Sequence, residues 1–168
     1  MTLDQLNHLP TQDAWAAFER CCGASAWVEH MCAQRPFRST DALNAAAESG
    51  FALLGPDDWR EAFAHHPRIG DVAALRERFA STAGWAGEEQ RGASTASDAT
   101  LAALAEGNRA YEERFGYIFI VCATGKGADE MLRLLRARLP NAPAAELGIA
   151  VEEQRKIARL RLEKLLAE

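Results

Sequence analysis

Residues 97–123 read SDATLAALAEGNRAYEERFGYIFIVCA, and the contrast between the two halves of this stretch decides the fold. From Ser97 to Phe115 the apolar positions Leu101, Leu104 and Tyr111 recur at three- and seven-residue spacing, the period of a helix with one buried face. Ser97 is a side-chain cap for its start, and Gly116 is the usual stop. Beyond Gly116, Tyr117-Ile-Phe-Ile-Val-Cys-Ala123 is a continuous apolar, β-branched run of strand length. Nothing else in the chain resembles a strand partner for it. The run therefore predicts a buried extended connector in an otherwise helical protein, with backbone groups that must be satisfied by something other than a sheet.

Working outward, helical spacing continues in both directions. Thr2 is a cap for a short helix with Leu3 and Leu6, and Thr11 for a second that buries Trp15 and Phe18 and turns at Cys22-Gly23. Ser25 opens a helix through Trp27, Val28 and Met31 that must stop before Pro36. Ser39 to Ser49 is an alanine-rich helix expected to end at Gly50. After Gly55-Pro56, residues Asp57 to His66 bury Trp59 and Phe63 and are ended by Pro67, since proline disfavours helical geometry in the residue before it. Short helices are expected from Leu75 to Phe79 and near Gly87 to Ala93, split at Ala83-Gly84. Helices from Ala128 to Leu139 and from about Ala144 to Leu166 complete the chain. The prediction is an all-α fold, one multi-helix domain over residues 1–168 with the connector at 117–123.

Composition bounds the function. The 168 residues carry 19 Lys plus Arg against 24 Asp plus Glu, a net charge of -5. No basic block offers itself to nucleic acid or to an anionic membrane surface. No apolar run approaches the ~18 residues of a membrane span, and the amino terminus has neither the charge nor the apolar core of a secretion signal. The four cysteines lack CxxC spacing and are expected as reduced, packed thiols. A cytoplasmic protein is expected.

Three places stand out for chemistry. In Ala64-His65-His66-Pro67-Arg68-Ile69-Gly70-Asp71, two histidines end a helix before a rigid turn. The negative end of the helix dipole favours the imidazolium form, so a histidine there serves either as a proton donor or simply as a cap for the terminal carbonyls. Glu88-Glu89-Gln90 pairs an acid with an amide, which can orient a histidine and bind a polar ligand, or can merely complement a helix start. In the last helix Ile157, Arg161 and Leu165 share a face. Arg161 there either snorkels to water or holds a guanidinium ready to grip a carboxylate or urea-like carbonyl; Arg155, Lys156, Arg159 and Lys164 read as the solvated face. Adjacent histidines point in different directions on a helix, so a shared metal ion is not expected. There is no GxSxG, GxxxxGK[ST], GxGxxG or HExxH, and Thr124-Gly125-Lys126-Gly127 lacks the spacing of a phosphate loop.

Together these pieces resemble the 2-oxo-4-hydroxy-4-carboxy-5-ureidoimidazoline (OHCU) decarboxylase family. The resemblance covers nearly the full chain: Arg35-Pro36-Phe37, His66-Pro67-Arg68-Ile69-Gly70, Glu89-Gln90, Asn108-Arg-Ala-Tyr111 with Phe115-Gly116-Tyr117-Ile118-Phe119-Ile120, and Leu160-Arg161-Leu162 stand in the family's order and spacing. It implies a carboxy-lyase that needs no cofactor and converts OHCU to (S)-allantoin and CO2 at the end of urate degradation in purine metabolism. It also implies His66 and Glu89 as catalytic residues. The substrate-binding positions it implies are Pro67, Ala86, Gln90, Arg161 and the main chain of Phe119, Ile120, Val121, Cys122 and Ala123. Ala86 departs from the family pattern, which has serine there, so a hydroxyl contact worth about 1.5–3 kcal/mol to a charged group is missing. That departure keeps a second reading open, a helical binding module with the pocket but without turnover. The expected partners are the substrate and allantoin, with neither nucleic acid nor membrane, and with a homodimer compatible with the family.

Overall fold

The computed structural model of the protein describes residues 1–68, 72–83 and 97–167. Among these residues there are helices and no strand: α1 (Leu3–His8), α2 (Thr11–Cys21), α3 (Ser25–Ala33), α4 (Thr40–Ala52), α5 (Pro56–Ala64), α6 (Val72–Ala83), α7 (Asp98–Phe115), α8 (Ala128–Arg138) and α9 (Pro143–Ala167). They pack as two compact units, Met1–His66 with Leu147–Glu168, and Pro67–Glu146. No helix of the described residues is long and apolar enough to cross a membrane.

The caps explain the boundaries. Thr2 accepts from the Gln5 amide while the Gln5 side chain accepts from the Thr2 amide, a reciprocal capping box. Ser39 caps α4 through the Ala42 amide, and Ser97 caps α7 through the Thr100 amide. Gly116 ends α7 with φ 79, a left-handed conformation that only glycine adopts without cost. The expected capping by Thr11 does not form; Thr11 is the first residue of α2, behind Pro10. The predicted stop at Gly50 is also corrected, because α4 runs on to Ala52. Gly50 is there for closeness: a Cβ would stand 2.8 Å from Trp27 Cδ1 and 2.9 Å from His30 Cδ2. The short helix expected over Leu75 to Phe79 extends through Val72–Ala83.

The first unit is built on aromatic packing. Trp27 is fully buried and stacks on Phe51 at 5.3 Å between ring centroids, while Phe18 meets Trp27 and Phe37 edge-on at 6.2 Å. Arg35-Pro36-Phe37 works as a clasp in this unit. The Arg35 guanidinium donates to the Leu6 and Leu9 carbonyls at 2.9 and 2.8 Å, and Phe37 exchanges main-chain bonds with the Asn7 side chain. Glu48 binds Arg155 and Arg159 of α9, each at 2.6 Å. These two arginines were expected on a solvated face; the ion pairs place them against α4 instead, and they hold the Glu48 carboxyl down at about 2.

In the second unit Leu75, Leu101, Leu104, Met131, Leu132 and Leu135 form the apolar cluster. Beside it lies a buried polar set. Glu146 accepts from the Tyr111 hydroxyl, from Arg138 Nε at 2.8 Å and Nη2 at 2.5 Å, and from Asn141 at 2.9 Å. Burial and the bond to Glu146 push the Tyr111 hydroxyl far above its ordinary range.

Candidate active site

Helix α5 presents Trp59, Ala62 and Phe63 to the interior and ends at Ala64, three residues before Pro67. His65 occupies the cap position, and the His66 amide closes the last turn by donating to the Phe63 carbonyl at 3.1 Å. Against this end lies the turn between α2 and α3, where a Cβ on Gly23 would overlap the His65 ring. The close approach of backbone to imidazole thus requires glycine at position 23. His66 is half-buried, and its Nε2 lies 2.6 Å from Oε1 of Gln154 on α9.

Arg161 stands seven residues beyond Gln154 on the same helix, about 10 Å along the axis and close to the same face. Its Nη1 donates to the Arg20 carbonyl at 3.1 Å and lies 3.5 Å from the Cys21 carbonyl. These are the last carbonyls of α2, which lack partners within the helix, so the guanidinium closes that helix end. Arg161 lines a pocket with Arg20, Lys164, Ala17, Cys21 and Leu165. Three cations and no carboxylate line it, which suits an anion. Burial pushes the neighbouring thiols up, Cys21 to about 12 and Cys22 to about 11, so neither is a thiolate near neutrality. All four cysteines are free. Among the described residues, no cluster of three or more histidine, cysteine or acidic side chains could hold a metal ion.

The apolar stripe of α9 differs from the one expected. From Ala150 onward its fully buried positions are Ala150, Gln154, Ala158 and Leu162, with Arg161 at the flank. The polar residue inside the stripe is therefore Gln154, which the sequence reading missed. The available signal was a glutamine at four-residue spacing among small apolar residues, obscured because Ile157 and Leu160 suggest a neighbouring face equally well.

In the second unit Pro67 is exposed at its start. The connector belongs to no helix or strand and is partly buried. The Phe119 ring lies 4.6 Å from the Arg138 guanidinium and edge-on to Tyr111. The Ile120 carbonyl accepts from Arg138 Nη1 at 2.8 Å, and Val121 packs on the leucine cluster. Lys126 bonds the carbonyls of Cys122 and Ala123 at 3.0 Å, through its ammonium and its amide respectively. The protein thus holds three connector carbonyls, while the connector's amides belong to no helix or strand. Ala86, Glu89 and Gln90, with the helix expected near Gly87 to Ala93, lie outside the described residues.

The described residues thus form helices, with an imidazole held at the end of α5 and three cations lining a pocket beside α9. The family model described as OHCU decarboxylase matches residues 7–163, and the chain belongs to that family. It is 37% identical over 159 residues to the uric acid degradation bifunctional protein TTL of Arabidopsis thaliana, covering 94% of this chain and 48% of that protein. It is 33% identical over 174 residues to the 2-oxo-4-hydroxy-4-carboxy-5-ureidoimidazoline decarboxylase of Amia calva, covering 99% of this chain and 95% of that one. The chain therefore spans about half of the first relative and nearly all of the second. A crystal structure of OHCU decarboxylase in the presence of (S)-allantoin superposes with a TM-score of 0.72 at 36% identity, covering 90% of this chain and 97% of that one.

Proposed function

We propose that the protein decarboxylates OHCU to (S)-allantoin and CO2, the last step from urate to allantoin, as a cytoplasmic carboxy-lyase acting through one functional domain. The observation that carries this reading is the His66 imidazole held by Gln154, with Arg161 and its cationic pocket two turns further along the same helix.

The substrate has a carboxylate and a hydroxyl on one ring carbon, next to a carbon–nitrogen double bond. When the carbon–carboxylate bond breaks and CO2 leaves, the electron pair forms a double bond to the neighbouring carbon, and the C=N pair moves onto nitrogen, which takes a proton. The ring itself is the electron sink, which is why no cofactor is called for. The resulting enol-like species then takes a proton on one face of that neighbouring carbon, and the hydroxyl proton leaves as the carbonyl forms. Stereospecificity demands a positioned acid, and His66 supplies it, with Glu89 setting its orientation and charge. Arg161 and Gln90 hold the anionic and ureido groups by paired hydrogen bonds. The main chain of Phe119 to Ala123, with Pro67 and Ala86, supplies the further substrate-binding positions that the family resemblance implies. An acidic chain of net charge -5 draws in an anion through such a local cation rather than its overall field. A homodimer fits the same reading.

The test generates OHCU from urate with the two preceding enzymes and follows allantoin by circular dichroism. The protein is expected to yield optically active (S)-allantoin, and His66→Ala to lose about 100-fold or more in rate, the usual scale of a lost general acid. Racemic product at the uncatalysed rate, with thermal stabilisation by allantoin, would show a binding module instead.

A further inference from the structure

We infer that Gln154 is a positioning residue that fixes which ring nitrogen of His66 carries the proton and how the ring is turned. The inference rests on His66 as the proton-handling residue.

Gln154 is fully buried, in a stripe with Ala150, Ala158 and Leu162. An amide in such a place destabilises the fold unless its polar atoms are bonded. One of them is: Oε1 lies 2.6 Å from His66 Nε2. The other, Nε2 of Gln154, is buried with no hydrogen-bond partner among the described residues. A half-satisfied buried amide is a poor choice for stability, since an apolar side chain of the same length would fill the space at lower cost. Its presence is explained by what it does to the ring.

An amide oxygen only accepts hydrogen bonds, so the ring nitrogen facing it must be N–H. With Oε1 toward His66, Nε2 keeps its proton in both the neutral and the charged ring, and Nδ1 becomes the nitrogen that gains and loses one. The same bond fixes ring rotation, which matters because proton transfer falls off steeply with misalignment. Gln154 sits on a 25-residue helix whose other flank is tied to Glu48 through Arg155 and Arg159. The ring is thus referenced to a braced element rather than to the turn that carries it.

Two measurements test this. Long-range nitrogen–proton NMR correlation on the unaltered protein should show the neutral His66 ring as a single form, with a protonated Nε2 and a bare Nδ1. A ring with the proton on Nδ1 overturns the inference without touching the assignment of His66. Gln154→Met should keep the fold, give a mixture of ring forms, and lower kcat about tenfold or more, with KM changed less than about twofold. Gln154→Glu, which retains an accepting oxygen, should restore the single form. Unchanged kcat in Gln154→Met also overturns the inference. Full activity in His66→Ala overturns instead the catalytic reading of His66, and the NMR result separates the two failures.

Discussion

Two buried polar groupings among the described residues follow opposite rules. In the second unit Glu146 uses both oxygens on four donors, and Arg138 spends its remaining nitrogen on the Ile120 carbonyl and its face on Phe119. Every strong group there has a protein partner. In the first unit Gln154 makes one bond to His66 and leaves its amide nitrogen without one among the described residues. Full satisfaction marks a device that holds a fold; an incomplete bond beside an imidazole marks one that sets up chemistry. Markers shared with a family divide in the same way, for Tyr111 belongs to the first kind and His66 to the second.

The contrast can be broken most directly at Glu146. Glu146→Leu leaves Arg138 buried and unpaired, and should cost about 3–5 kcal/mol in urea denaturation. Adding Arg138→Met should return more than half of that loss. A cost below about 1 kcal/mol would show that the network is not what holds the second unit.

Gly50→Ala comes next. The Trp27 ring is stacked on Phe51 and cannot withdraw, so overpacking of about 1–3 kcal/mol should outweigh the helix-propensity gain of about 0.5–1 kcal/mol. The expected outcome is a lower melting temperature, and a rise would show that Trp27 has room to shift.

A smaller effect concerns acid. The Glu48 carboxyl is held at about 2 against an ordinary 4.5, chiefly by its hydrogen bond to Arg159. Because the folded value is the lower one, the stabilisation is present above the unfolded value and fades as pH falls from about 4.5 through about 2. The Glu48 side chain is 38% exposed, so solvent screening should keep the contribution to about 1 kcal/mol or less. Glu48→Gln should lower stability by up to that amount near neutrality, where the stabilisation is fully present, and flatten the profile between about pH 4.5 and about 2.

The smallest stability change sharpens the comparison from the other side. Gln154→Met should alter unfolding free energy by less than about 1 kcal/mol, of either sign, because it removes a bond and an unsatisfied donor together. A loss as large as that at Glu146 would make Gln154 a structural residue.

Much of the helix plan was legible residue by residue. Ser97 and Gly116 bracket α7 where their side-chain and backbone chemistry said they would, and the run after Gly116 is not helical, as its composition implied. Local signals failed where a residue's role depends on what packs against it. Gly50 has the composition of a stop and the job of admitting Trp27. Arg155 and Arg159 have the pattern of a solvated face, and Glu48, more than 100 residues away in sequence, gathers both. Arg161 is one step off the buried stripe, a shift that apolar periodicity on a long helix does not resolve when two adjacent faces are both apolar.

By itself, then, the sequence determined most of the helix boundaries among the described residues, through caps, breakers and period, and, through the family resemblance, the candidate residues His66, Glu89, Gln90 and Arg161. Those are short-range properties, written in each segment's own chemistry. The tertiary structure alone decided the partners: Gln154 for His66, the end of α2 for Arg161, Glu146 for Arg138 and Tyr111. A buried polar atom takes whichever complementary group the packing brings within 3 Å or so, and that choice is made across distances that no local pattern records.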